Sequence, residues 1–343
     1  MTNVSSLFRG HLSSRIPTSP DWRIADQVTT RLKTAMPIKL FLASGDLLAD
    51  RRFEFARDLQ LEGELVAAAD LLEQALELAP NFASAWFALG EIREQLGERE
   101  AAIAGFRRAC EADPLDRHGA TLKLMRLGAE PLAEMPRAYV QSLFDQYAPR
   151  FDQALLQHLG YRAPDLLLKA VLAVCTAARK PAVFDRAIDL GCGTGLAAAA
   201  FASQVDTFVG IDLSPGMIER ARATGLYAEL EIADMLEGLR RRPDASTDLV
   251  LAGDAMVYVS ELAPVVAQAA RVLMPGGLLA FTVETHAGDE VIIGRGLRYA
   301  HGAEYLQGVI AASGLSVAHF EAASPRTEDS APVHGLVVVA TKN

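Results

Sequence analysis

Between residues 184 and 341, short runs of aliphatic and β-branched residues alternate with longer segments of helical period. The runs 184–190 (FDRAIDL), 207–212 (TFVGID), 227–232 (YAELEI), 247–252 (TDLVLA), 278–284 (LLAFTVE), 315–321 (LSVAHFE) and 335–341 (GLVVVAT) are predicted strands. Segments 195–204, 214–224, 260–273 and 302–313 are predicted helices that fill most of the gaps. This alternation predicts an α/β domain with a mainly parallel sheet and helices on both faces. The connection between the last two strands is short and polar and carries Pro325 and Pro332. It cannot form a crossover helix, so the final strand of a seven-stranded sheet is expected to be antiparallel.

The N-terminal third follows a different period. Pro80 and Pro114 lie 34 residues apart. With Ala83 as position 1 of a 34-residue unit, Trp86, Leu89, Gly90, Ala102, Phe106, Ala109 and Pro114 take positions 4, 7, 8, 20, 24, 27 and 32. A unit begun at Ala49 places Ala56, Ala68, Leu72, Ala75 and Pro80 in the same register, with Arg52 in place of the large residue at position 4. Small residues at positions 8, 20 and 27 let two antiparallel helices approach closely. Gly63 and Gly97 end the first helix of each unit, and the prolines stop the second. The pattern resembles the tetratricopeptide repeat, and residues 117–128 read as a capping helix. Two and a half units fall short of the ~3 repeats that a solenoid needs to stand alone, so the block is expected to lean on its neighbour or on a partner. The chain is therefore divided into a poorly ordered leader (1–36), a helical repeat domain (37–130), linker and lid helices (131–180) and the α/β domain (181–343).

Composition narrows the function classes. The chain has 343 residues, 50% hydrophobic and 22% charged, which excludes a disordered or collagenous protein. No apolar run reaches the ~18 residues of a membrane span. A net charge of -10 argues against nucleic-acid binding. Cys110, Cys175 and Cys192 are odd in number and far apart, which rules out a disulfide framework or a CxxC metal site and fits a reducing cytoplasm. No cluster of His, Cys and Asp suggests a metal. The leader holds five Lys/Arg against two acids but has no apolar core, so it does not read as a secretory signal. It is expected to be dispensable for folding, with Met36 as an alternative start.

The central motif is Asp189-Leu190-Gly191-Cys192-Gly193-Thr194-Gly195, which ends the first strand and opens a helix. Glycines let the backbone turn sharply and approach a ligand closely. A dinucleotide fingerprint needs its third glycine at 196, where this chain has leucine. The D-x-GxGxG pattern instead resembles motif I of the S-adenosylmethionine-dependent methyltransferases of the Rossmann-like class. That resemblance implies a loop that holds the methionyl part of the cofactor, with Asp189 accepting from its amino group. It implies further that Asp212 binds the ribose, that Leu213 and Met217 flank the adenine, and that Asp234 and Met235 meet the adenine amino group and ring. Gly253, after the fourth strand, joins the expected cofactor contacts. The aromatic stretch 137–158 resembles a pre-helix that lids the cofactor in many small-molecule methyltransferases, which assigns Tyr147 and Phe151 to the sulfonium. Repeat, aromatic stretch, core and the tail motif at 298–301 together resemble a bacterial group of methyltransferases that carry tetratricopeptide repeats.

The reaction this implies is in-line displacement at the sulfonium methyl. A general base is needed only where the acceptor arrives protonated. Ligands of open α/β sheets sit at the carboxyl ends of strands, which makes Asp254, Tyr258, His286 and His301 the catalytic candidates, with Glu284 and Arg298 beside them. The acceptor is unidentified, a small molecule being favoured over a protein, and the repeat is a candidate docking site for a protein partner. Two alternatives stand beside this reading: an interaction protein whose cofactor domain is catalytically silent, and an NAD enzyme of the same fold class.

Overall fold

The computed structural model describes residues 40–150, 160–294, 296–328 and 331–343. Five parallel strands form the centre of the C-terminal domain: β1 (Phe184–Leu190), β2 (Val205–Asp212), β3 (Tyr227–Ile232), β4 (Thr247–Ala252) and β5 (Leu273–Glu284). Two short strands, β6 (Val291–Ile293) and β7 (Tyr299–His301), follow as a hairpin, and β7 touches the end of β5 at Glu284. The chain continues through β8 (Leu315–Ala323), the small hairpin β9 (Thr327–Glu328) and β10 (Ala331–Pro332), and β11 (Gly335–Lys342). The sheet order is β3-β2-β1-β4-β5-β11-β8, and β11 is antiparallel to both neighbours.

The segment after β5, where no strand is predicted, forms the β6–β7 hairpin. Residues 273–277, which the apolar pattern leaves outside the fifth strand, belong to β5: Thr247 pairs with Leu273 but Leu249 pairs with Leu278, so the extra β5 residues bulge between them.

Alternate residues of the central strands face opposite layers. Ile188, Val209, Val250, Leu279 and Val338 pack with Val265 and Ala269 of one helix and with Leu306 and Ile310 of another. Ala187, Phe208, Leu249, Ala280 and Val337 pack against Leu167 and Val171 of a third. Both faces are covered, which is why these strands read as continuous apolar runs.

The N-terminal half contains α1 (Leu47–Glu62), α2 (Leu65–Leu78), α3 (Ala83–Gln95), α4 (Arg99–Ala112) and α5 (Ala120–Arg126). Gly63 caps α1 at φ 87°, where residues with a Cβ are strained. A Cβ on Gly90 would meet the Phe106 ring at 2.7 Å, so the glycine sets the α3–α4 approach. Helix α6 (Arg137–Tyr147) then leads to the α/β domain.

All described residues belong to one compact unit. Leu122 and Met125 of α5 pack with Met135, Tyr139 and Tyr299, and the Tyr299 hydroxyl donates to the Ala133 carbonyl. A boundary at residue 130 cuts through this cluster. The helices that complete the α/β layers are α7 (Ala163–Ala177), α8 (Leu196–Ala200), α9 (Pro215–Thr224), α10 (Met235–Arg240), α11 (Ala263–Val272) and α12 (Ala303–Ala312). Among the described residues, no helix is long and apolar enough to cross a membrane. The leader, Phe151 and His158 lie outside the described residues.

Candidate functional site

The loop after β1 turns at Gly191 (φ 63°), Gly193 (φ 54°) and Gly195 (φ 99°). A Cβ on Gly191 would stand 2.6 Å from the Ala255 Cβ, so the loop is pressed against the segment that follows β4. Asp212, at the carboxyl end of β2, holds the loop from the other side. Its two oxygens accept the Gly193 and Ser214 amide N–H groups, each at 2.8 Å. Burial (9% exposure) raises its pKa to about 6 against the pull of these N–H donors.

Asp189 sits beneath the loop. It is 1% exposed and accepts the Tyr227 hydroxyl at 2.7 Å. Burial raises its pKa to about 7. One oxygen of the carboxylate is turned to Tyr227. Tyr227 reaches it from β3 by crossing Gly210 of β2, where a Cβ would meet the ring at 2.9 Å.

The other expected cofactor contacts divide by accessibility. Leu213, Asp234, Met235 and Gly253 are partly exposed, whereas the Met217 side chain, in the first turn of α9, is fully buried. The Cys192 side chain packs with Ile218 and Ala221, so only its backbone can face a ligand. Asp234 caps α10 by accepting from Leu236 N at 2.9 Å, and the Gly253 carbonyl accepts the Tyr161 hydroxyl at 3.2 Å.

Helix α6 spans the carboxyl ends of β2, β3 and β4. Asp145 accepts from the Ser214 hydroxyl and from Gly216 N (3.2 Å) after β2. Arg137 pairs with Glu237 (3.0 Å) and lies 3.8 Å from Asp234 after β3. Phe144 meets Tyr258 after β4 edge-on, with ring centroids 5.2 Å apart. Tyr147, half-buried, is the last residue of this helix.

Beside the loop, the ends of β4 and β5 carry an ion-pair network. The Arg326 guanidinium, 4% exposed, bonds both Asp254 oxygens at 2.5 and 2.6 Å, and also Glu284 and Glu328. Arg298 bonds Glu284 and Glu328. Asp254 stands at φ 56°, an unusual conformation for a residue with a Cβ, and its N–H donates to Thr282 Oγ1 at 2.8 Å. Its carboxylate is committed to Arg326 and is not a free base. Burial raises the Tyr258 pKa, and Arg298 and Arg326 only partly offset it, so the phenol stays neutral.

Both histidine candidates are engaged in hydrogen bonds within the protein. His301 is fully buried, its Nε2 bound to the Val259 carbonyl at 3.0 Å and its ring stacked on Tyr305. Burial lowers its pKa to about 4. His286 uses both ring nitrogens in its own turn, one accepting from Gly288 N and the other donating to the Glu290 carbonyl.

Sequence reasoning missed Asp145, Tyr227, Arg326 and Glu328. The glycine at 210, in the middle of an apolar strand, is the signal that a neighbouring side chain crosses there. Arg326 and Glu328 carried no comparable signal, because the hairpin that returns them to the site is made of polar connector.

Residues 188–281 match the family model "Methyltransferase domain", and residues 59–124 match "Tetratricopeptide repeat". Methyltransferase-like protein 27 of Homo sapiens is 33% identical over 43% of this chain and 58% of its own length. The 27-O-demethylrifamycin SV methyltransferase of Amycolatopsis mediterranei is 40% identical over 28% of this chain and 37% of its own length. The ubiquinone biosynthesis O-methyltransferase of Xylella fastidiosa is 31% identical over 41% and 58%. The chain thus spans between 37% and 58% of the length of these relatives. Among solved structures, the Burkholderia thailandensis 1,6-didemethyltoxoflavin-N1-methyltransferase covers 62% of this chain and 92% of its own at 18% identity and a TM-score of 0.46. Residues 59–124 are thus similar to a tetratricopeptide repeat and residues 188–281 to a methyltransferase domain, set on the mainly parallel sheet described above.

Proposed function

We propose that the protein transfers the methyl group of S-adenosylmethionine to a small organic acceptor. The observation that carries this reading is the pairing of Asp212 with the glycine loop under α6. The Asp212 oxygens accept the Gly193 and Ser214 backbone N–H groups, which fixes the carboxylate beside the loop. A carboxylate so fixed, at the carboxyl end of β2, suits the two hydroxyls of a ribose. The left-handed Gly191, Gly193 and Gly195 leave the backbone bare beside it, and Leu213 and Met235 supply apolar surface for an adenine. The donor set therefore fits S-adenosylmethionine, and Leu196 in place of a third fingerprint glycine speaks against NAD.

When bound, the cofactor supplies an activated methyl on a sulfonium. The protein's part is orientation and the exclusion of water. Helix α6, pinned at Arg137, Phe144 and Asp145, acts as the lid, and Tyr147 gives the cation aromatic surface. The carboxylates nearest the expected acceptor, Asp254 and Glu284, are neutralised by arginine, while Tyr258 offers a neutral hydroxyl. This favours acceptors that lose their proton readily, such as phenols or enols, over those that need a strong base. By their names, one relative methylates 27-O-demethylrifamycin SV and another is an O-methyltransferase of ubiquinone biosynthesis, which is consistent with a small-molecule acceptor.

Calorimetric titration with S-adenosylmethionine, S-adenosylhomocysteine and NAD tests the reading. Binding of the first two without NAD supports it; NAD binding alone, or none of the three, overturns it.

A further inference from the structure

The repeat block holds a row of polar side chains 34 residues apart: Asp50, Ser84 and His118, each the second residue of its unit. One segment of the same chain lies across all three. Ser44 N donates to Asp50 Oδ1 at 2.8 Å, Leu42 N to Ser84 Oγ at 2.8 Å, and the His118 ring is hydrogen-bonded to the Leu40 backbone. Ser84 Oγ also lies 3.2 Å from the Leu42 carbonyl and 3.0 Å from His118 Nε2. Every second residue of the segment is thus read by every successive unit. Leu40, Leu42 and Ser44 are half-buried while Phe41 and Ala43 are exposed, the alternation of an extended strand. Phe41 rests on Phe53 (5.4 Å) and edge-on against Phe82 (6.0 Å).

The charged positions further along α1, α3 and α5 are paired with one another: Arg57 with Glu91, Lys123 with Glu91 and Glu94, and Arg126 with Glu94. Recognition on this face therefore falls to backbone bonds and one aromatic seat. We propose that residues 40–44 are a built-in occupant of a peptide-binding groove, and that an extended protein segment with an aromatic residue at the Phe41 position binds there by displacing them. The groove is intrinsically a peptide site, held shut by its own chain. A tethered competitor acts at an effective concentration of the order of millimolar, so outside peptides bind the intact chain weakly.

The probe is a fluorescein-labelled peptide of residues 38–46, followed by anisotropy on the full-length chain. Leu42→Pro removes the N–H that reaches Ser84. The peptide is expected to bind this variant at least tenfold more tightly than the unchanged chain, and Ser84→Ala in the same variant removes the gain. Equal binding to both chains, or none to a Leu42→Pro variant of unchanged melting temperature, overturns the proposal. A readout without substitution guards against misfolding: amide hydrogen exchange across a urea series. The Leu42 and Ser44 amides are expected to be protected at least tenfold over the free peptide, and to open at lower urea than the Phe106 amide of α4. Absence of protection, or opening only together with Phe106, contradicts a displaceable segment.

Discussion

The Tyr227 hydroxyl crosses the bare backbone of Gly210 to reach the Asp189 carboxylate at 2.7 Å, linking the three strands that carry the glycine loop. Tyr227→Phe keeps the ring but deletes this bond and leaves a buried carboxyl group short of a partner. Such a loss costs about 1–3 kcal/mol. Urea denaturation is expected to show it, together with weaker cofactor binding from a loosened loop. Unchanged stability would mean that Asp189 finds another partner.

Asp189 also makes a pH prediction. Its folded-state pKa, about 7, lies above the ordinary aspartate value of about 3.9. The stability it contributes is full below about pH 4 and is lost as pH rises through about 7. Asp189→Asn removes this loss, so the stability of the variant relative to the unchanged chain should climb between pH 4 and pH 8. A difference independent of pH would show that the carboxyl group titrates normally.

Removing Arg326 strands Asp254 without its counter-charge and leaves Glu284 with Arg298 alone. Breaking a buried pair from one side costs about 3–5 kcal/mol. Arg326→Met is expected to lose this much in chemical denaturation. The triple change with Asp254→Asn and Glu284→Gln should recover part of it. If the single change is silent, the network carries no stability.

A chain beginning at Met36 retains the segment 40–44 that bonds Asp50, Ser84 and His118. Its melting temperature is expected to match that of the full chain. A chain beginning at residue 131 instead exposes Met135, Tyr139 and Tyr299, which lose Leu122 and Met125. It should melt well below the full chain; equal melting of the two would show that the repeat is only an appendage.

Much of the fold was legible because its rules are local. Glycine and proline punctuation marked the strand ends, and the 34-residue period exposed the helix pairs through Gly63, Gly90, Pro80 and Pro114. The strands β1, β3 and β4 begin and end as their apolar runs do. The site was less legible. Asp212 could be ranked from its place after a strand, whereas the burial of His301 and Met217 depends on how β7 and α9 pack, which no spacing reveals. The arginine network escaped notice for the same reason: Arg326 and Asp254 are 72 residues apart and meet only after the β9–β10 connection folds back over the sheet.

The lid makes a separate prediction. Asp145→Ala frees the N-terminus of α9 from α6, and Tyr147→Ala removes aromatic surface worth roughly 0.5–2 kcal/mol to a cation. S-adenosylmethionine affinity should fall about two- to thirtyfold in Tyr147→Ala, with S-adenosylhomocysteine, which lacks the positive charge, affected less. Equal losses for both ligands would assign Tyr147 to packing alone.

The central claim is that Asp212 binds the ribose of S-adenosylmethionine while it fastens the glycine loop. The most direct measurement is the calorimetric dissociation constant of S-adenosylmethionine for the unchanged chain and for Asp212→Ala, with folding checked by circular dichroism. Loss of charge-assisted hydrogen bonds of about 1.5–3 kcal/mol predicts affinity weakened roughly ten- to a hundredfold. Undiminished affinity in a folded Asp212→Ala chain would contradict the account.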